Sequence, residues 1–292
     1  KIFIADRLAI LVGGVYNNPA GFHGFPLMLT TMLFAFQIYC DFSGYSDIAL
    51  GSARVMGFKL TNNFDRPYLA CSIGEFWRRW HISLSSWFRD YIYIPLGGNQ
   101  VPKTRWVINI LIIFLVSGLW HGANWTYAVW GGLHGIFIIG ESAVTSFKNK
   151  IIKIFNLNIA QSIRQISLFA TFILVCFSWI FFRANSIKEA IYIVKNLFVG
   201  IDEQLNYFFI FLSRKESFSW LLSSEWPGVS QIDLIIALAT LSGFIWLESK
   251  PTFWRKLFES HKFFRWSVYY IAIILILFLG VFNHSQFIYF QF

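Results

Sequence analysis

Two histidines, His121 in Gly118-Leu-Trp-His-Gly122 and His134 in Gly131-Gly-Leu-His-Gly135, stand inside thirty-five consecutive residues, Trp106 to Gly140, that contain no Asp, Glu, Lys or Arg. A charge-free run of that length belongs in lipid. An ionisable side chain there is costly, so it faces a cavity or a partner and is a functional candidate by default. A neutral imidazole is a competent general base near pH 7, provided a hydrogen bond on its other ring nitrogen fixes the tautomer. The alternative is structural. Each histidine lies within a G-x-x-x-G spacing that lets two helices pack closely, and a buried imidazole bonded to a carbonyl would serve that packing. Both readings stand for both residues.

Asp41 and Asp47 form a second polar group, at the end of the apolar run Phe25 to Cys40. They are either a ligand or proton site, or a buried pair with Arg54 or backbone donors. His23, His261 and His284 fall at loops or span ends, where interfacial exposure explains them. No H-E-x-x-H, no His pair at i, i+4 and no G-x-S-x-G elbow occurs, and Gly44-Tyr-Ser46 is followed by Asp47 rather than by x-Gly. Neither a metal nor a cofactor is therefore expected. Cys40, Cys71 and Cys176 lie far apart in apolar surroundings, which indicates neither a disulfide framework nor a zinc site.

The elements that must carry these residues read as membrane helices. Only 13% of the 292 residues are charged, and 56% are hydrophobic, against roughly 25% charged in a soluble domain. Beyond Phe25 to Cys40, spans are expected twice within Trp106 to Gly140, with a break near Gly122-Ala-Asn124. Further spans are expected over Gln165 to Phe182, Ile232 to Leu247 and Trp266 to Phe282. Residues Ile2 to Tyr16 are apolar but carry Asp6 and Arg7, and read as the tail of an earlier span or an interfacial segment. The net charge of +9 lies between the spans, where topology and anionic headgroups explain it better than nucleic acid does. Lys59 to Arg105 holds seven basic residues against three acidic, and Arg183 to Glu225 holds five of each. The positive-inside rule places the first loop in the cytoplasm, together with the basic loops at Lys148–Arg164 and Lys250–Arg265, and the balanced loop outside.

Between the first spans, Ser72 to Tyr93 reads as a basic, Trp-rich amphipathic helix lying in the membrane interface. Helical spacing puts Trp77, Trp80, His81, Leu84 and Phe88 on one stripe and Arg78, Ser85 and Arg89 on another, with Glu75 four residues before Arg79. This is either an anchor, or a helix that turns His81 toward a site and the arginines toward phosphates. Pro95-Leu-Gly-Gly-Asn99 then supplies stop-and-turn chemistry rather than a phosphate-cradling loop. No linker divides the chain, so a single all-α domain is expected. Because it begins at Lys1, it reads as the C-terminal part of a longer chain that has lost its first helices.

Four segments together carry a resemblance: Gln37-Ile-Tyr-Cys-Asp-Phe-Ser-Gly-Tyr-Ser-Asp47, the run from Phe76-Trp-Arg-Arg-Trp-His81 to Pro95-Leu-Gly-Gly-Asn99, Ser117-Gly-Leu-Trp-His-Gly-Ala-Asn-Trp-Thr126, and Trp130-Gly-Gly-Leu-His-Gly135. In this order they resemble the membrane-bound O-acyltransferase superfamily, in the branch of alginate and peptidoglycan O-acetyltransferases and teichoic acid D-alanyl-transfer proteins. Phe287-Ile-Tyr-Phe-Gln-Phe292 is similar to that branch too. The resemblance implies a bundle of helices around a funnel or tunnel. It implies transfer of an acyl group, expected to be acetyl, from a cytoplasmic thioester such as acetyl-CoA. The acceptor is a hydroxyl of an extracytoplasmic polysaccharide or a partner protein that relays the group. The setting is the bacterial inner membrane. The family's catalytic histidine matches His121 and its second motif histidine matches His81, while His134 matches a histidine common in the branch. Arg78, Arg79 and Arg89 are placed to meet donor phosphates, and Asn124 and Trp125, beside the break, to line the tunnel; Asp41, Asp47 and His134 complete the expected substrate-facing set. The competing readings are a transporter or flippase of a cell-envelope precursor, which intramembrane acids and broken helices would also suit, and a structural subunit docking a polymer synthase.

Overall fold

The computed structural model describes residues 1–155, 160–202 and 231–282. Every regular element among them is helical. Among the described residues, four helices are long and apolar enough to cross a membrane: Phe25–Val55, Lys103–His121, Ser162–Arg183 and Lys262–Leu279. The chain is a multi-pass membrane protein. It divides into two compact units, one built from Lys1–Tyr45 with the chain from Tyr192 onward, the other from Ser46–Ile191.

In the first unit, α1 (Ala5–Tyr16) buries Leu8, Leu11, Val12 and Val15. Asp6 and Arg7 are buried with it rather than interfacial. Asp6 meets the Lys1 ammonium at 3.5 Å, and Arg7 Nη2 donates to the Leu279 carbonyl at 2.7 Å. The Asp6 charge is thus paired, and the Arg7 guanidinium is hydrogen-bonded through Nη2. The first part of α2 (Phe25–Val55) lies here. Thr31 Oγ1 donates to the Leu27 carbonyl at 2.8 Å, so the hydroxyl of Tyr16 donates to Thr31 at 2.9 Å. The helix does not end at the polar stretch, as its apolar run had indicated. It continues through Asp41 and Asp47 for 31 residues in all, because the Lys1 ammonium lies 2.8 Å from the Asp41 carboxylate and offsets its burial. Of the alternatives the sequence left open, Asp41 is thus in a buried ion pair, with Lys1.

The second unit holds most of the residues of interest. Two short helices, α3 (Ile73–Arg79) and α4 (Ile82–Phe88), lead through a wide turn at Arg89–Tyr93 to α5 (Lys103–His121). After a three-residue break, α6 (Trp125–Phe155) runs back along α5. The break falls where the sequence placed it. The basic stretch from Lys148 to Lys153, expected as a loop, is instead a continuation of α6. Then come α7 (Ala160–Arg183) and α8 (Ile187–Asn196), the latter passing into the first unit. Farther on are α9 (Gln231–Glu248), α10 (Pro251–Glu259) and α11 (Lys262–Leu279). None of the residues of α11 is buried, as suits a helix apolar on every face and bathed in lipid. His284, the segment Phe287–Phe292 and most of the balanced loop lie outside the described residues.

Glycine sets the spacing of α5 and α6. A Cβ on Gly118 would lie 2.2 Å from the Tyr127 carbonyl oxygen, and one on Gly131 would lie 2.1 Å from that of Phe114. The two backbones approach as closely as small residues allow, so the packing reading of both G-x-x-x-G spacings holds. It does not displace the chemical reading, because it leaves the histidines between the glycines to be placed.

Candidate active site

The site begins with a break that the sequence did not show. Ser72–Tyr93 is not one helix. Trp80 is extended (φ −106°, ψ 127°) and His81 is left-handed (φ 43°, ψ 56°), so the chain turns between α3 and α4. The common stripe therefore does not exist. A non-glycine residue at positive φ costs about 1–3 kcal/mol and persists only where its surroundings over-determine it. Here the surroundings are visible. Trp80 is driven into an aromatic core, with ring centroids 5.0 Å from Phe64, 5.6 Å from Phe76 and 5.2 Å from Trp179. The restart of α4 is held by Asn63, whose carbonyl accepts from Ile82 N at 3.0 Å and whose side chain accepts from Ser83 N at 3.1 Å and Ser83 Oγ at 2.6 Å.

The start of α3 is capped as its sequence indicates. Ser72 Oγ accepts from Glu75 N at 3.0 Å, and Glu75 Oε2 reaches back to Cys71 N at 2.7 Å. Glu75 also makes the expected pair with Arg79, at 2.6 Å. Glu141, the first charge beyond the apolar run, accepts from Gly74 N at 3.1 Å and ties α6 to this end of α3. Downstream, positive φ at Gly97 (102°) and Gly98 (54°) makes the turn that glycine permits. The wholly buried Asn109 of α5 clamps it by donating to the Leu96 carbonyl at 2.9 Å.

His81 and His121 come together from these two distant segments. His121 is the last residue of α5, and the Trp120 ring lies beside both histidines, with centroids 4.9 Å from His121 and 6.5 Å from His81. Burial pushes His81 down to about 4, so it is neutral at physiological pH. The other walls around His121 are Trp130 at 5.2 Å, Phe182 at 5.1 Å and Tyr127 at 6.4 Å. Gly122 allows this closure, since a Cβ there would lie 2.8 Å from the Tyr127 ring.

His134 lies one turn beyond Trp130 on α6 and has no exposed surface. Trp77 Nε1 donates to its Nδ1 at 3.2 Å, and Ser178 Oγ lies 2.9 Å from its Nε2. Sequence reading did not single out Ser178, Trp179 or Phe182. A serine within an apolar span is a weak signal, because such hydroxyls commonly bond a carbonyl one turn back.

The remaining candidates are dispersed. Arg78 is exposed. Arg79 is engaged with Glu75 and donates to the Arg66 carbonyl at 3.4 Å. Arg89 is exposed and forks onto its neighbour Asp90 at 2.8 and 3.2 Å. Asn124 caps α6, its side chain accepting from Thr126 N at 3.1 Å, and donates to the Asn185 carbonyl at 3.4 Å. Trp125 is 77% exposed. Asp41 is buried against Lys1 in the first unit, whereas Asp47 is exposed. A cavity of about 530 Å³ opens at Arg54, Gly57, Phe58, Lys59, Leu60 and Asn62, and none of the three histidines lines it.

Residues 16–182 match the family model described as MBOAT, the membrane-bound O-acyltransferase family. The chain belongs to that family. The match contains the whole aromatic cluster and all three histidines. Among curated relatives, a probable alginate O-acetylase of Pseudomonas putida is 37% identical over 84% of this chain and 45% of its own length. A peptidoglycan O-acetyltransferase of Helicobacter pylori is 36% identical over 69% of this chain and 37% of its own length. A teichoic acid D-alanyltransferase of Streptococcus thermophilus is 36% identical over 50% of this chain and 35% of its own length. The chain thus spans less than half the length of the relatives it matches.

Proposed function

We propose that this chain carries the catalytic centre of an O-acyltransferase of the bacterial inner membrane. The enzyme moves an acyl group, acetyl by preference, from a cytoplasmic thioester such as acetyl-CoA to a hydroxyl of an extracytoplasmic polysaccharide, directly or through a relay protein. The observation that carries the reading is that His81 and His121, from two distant segments, both lie beside the Trp120 ring. Family membership and the acetyltransferase names of the relatives support it over a transporter.

In this mechanism His121 takes the proton of the acceptor hydroxyl as its oxygen attacks the thioester carbonyl. The carbon–sulfur bond then breaks, and the imidazolium returns the proton to the departing thiolate. His81, neutral, orients the acceptor. Arg78 is the exposed arginine of α3 and is assigned to the donor phosphates. Arg79 and Arg89 would have to leave Glu75 and Asp90 to join it. Asn124 and Trp125 line the acceptor approach at the break. Asp41 is assigned to the Lys1 ion pair rather than to substrate.

The test is transfer from labelled acetyl-CoA by the full-length protein in membranes, with mass spectrometry of the cell-surface polymers. Turnover in His121→Ala is expected to fall by about 10²–10⁴-fold, the usual contribution of general base catalysis. Unchanged turnover would remove His121 from the mechanism. Movement of a solute without consumption of thioester would overturn the acyltransferase reading itself.

A further inference from the structure

His134 cannot share the role of His121, and its hydrogen bonds say why. Ser178 has one hydroxyl proton, and it is donated to the Val175 carbonyl at 2.7 Å. Toward His134 Nε2, at 2.9 Å, the serine oxygen is therefore the acceptor, and Nε2 carries the proton. Trp77 Nε1–H can only donate, so His134 Nδ1 at 3.2 Å carries none. The ring is a neutral Nε2–H imidazole with both nitrogens occupied and no surface open to a substrate.

The positions it joins are the ones that wall in His121. Trp130 lies one turn before His134 on α6, and its ring packs 5.1 Å from His134 and 5.2 Å from His121. Phe182 lies one turn after Ser178 on α7, and its ring packs 5.1 Å from His121. Trp77 of α3 packs 5.8 Å from Trp130. The two bonds of His134 thus fix α3 and α7 against α6, one turn away from the reactive imidazole.

We infer that His134 is a positioning residue. As a non-reacting pin between Trp77 and Ser178, it sets the register of the helices whose Trp130 and Phe182 hold the His121 ring. This rests on the acyltransferase reading above. The sensitivity is physical: a displacement of about 1 Å in a catalytic group can cost about 10²-fold in rate.

Two measurements on the full-length protein in detergent or nanodiscs test it. In ¹⁵N-histidine NMR, the resonance lost in His134→Gln should show a protonated Nε2 and a bare Nδ1 in the wild type. The opposite tautomer, or an imidazolium, overturns the hydrogen-bond assignment whatever the protein's activity. In kinetics, Ser178→Ala, a change small enough to leave the fold intact, should lower kcat per folded molecule by about 10–100-fold. The KM for the thioester should stay within about twofold, as expected when placement of the reacting group is lost rather than ground-state binding. Ser178→Thr, which keeps the hydroxyl, should restore most of the rate, and Trp77→Phe combined with Ser178→Ala should cost less than the sum of the two. An active wild type with an unaffected Ser178→Ala overturns the positioning role alone. A wild type that transfers no acyl group sinks the acyltransferase reading and the catalytic role of the pin with it, while the NMR result still judges the pin itself.

Discussion

At the scale of single residues, His81 combines a left-handed backbone with a half-buried imidazole. These two properties can be separated. Asparagine tolerates positive φ better than other non-glycine residues, so His81→Asn should preserve the fold while lowering turnover. His81→Val should lose folded protein, because a β-branched side chain at φ 43° is strongly disfavoured. Folding yield and specific activity, measured together, distinguish the two. The same imidazole makes stability depend on pH. Unfolded, His81 takes up a proton near its ordinary value of 6.5; folded, it does so only at about 4. Between those values the unfolded state binds more protons, so acid favours unfolding, and the penalty grows as pH falls from about 6.5 toward 4. Thermal denaturation of His81→Gln should therefore lose less stability on going from pH 7 to pH 5 than that of the wild type.

At the scale of elements, the hairpin of α5 and α6 depends on the absence of two side chains. Gly118→Ala or Gly131→Ala would push a methyl group onto a carbonyl oxygen and separate the helices, at about 1–3 kcal/mol each. Gly140 is the control on the same helix: nothing stands within 4 Å of a Cβ there. Gly140→Ala should be neutral or stabilising by about 0.5–1 kcal/mol, because a mid-helix glycine is replaced by a better helix former. Unfolding titrations in detergent would rank the three variants. The hairpin's existence was legible in the charge-free run, the glycine spacing and the Gly122-Ala-Asn124 break. The division of α3 from α4 was not. No glycine or proline lies between Phe76 and Asp90, and local propensity favours one continuous helix. The kink is imposed by burial of the Trp80 indole against Phe76 of its own helix and against Phe64 and Trp179, which are brought in from elsewhere in the chain.

For the whole molecule, α5 contains 19 residues, about 28 Å of helix at 1.5 Å per residue. That nearly matches a hydrocarbon core of ~30 Å. If Lys103 starts at the cytoplasmic face, as the loop charges indicate, the break at Gly122–Asn124 lies close to the opposite face. Gln100→Cys should then react with a membrane-impermeant maleimide only after the cytoplasmic side is opened, and Ala123→Cys should react in intact spheroplasts. Reversed labelling would refute the orientation.

The sequence by itself indicated that the chain lives in a membrane, that two apolar segments flank a break, and that His81 and His121 stand in ordered motifs that resemble those of a family. The first two follow from composition, periodicity and glycine spacing, which act locally along the chain; the third rests on resemblance. Only the tertiary structure separated the surroundings of the histidines. Whether an imidazole is walled by aromatic rings or saturated by an indole and a hydroxyl depends on partners up to fifty-seven residues away, as between Trp77 and His134. Such pairings are set by helix packing, not by neighbours in sequence. The same cause accounts for the break at His81 and for Asp41 meeting Lys1, forty residues away.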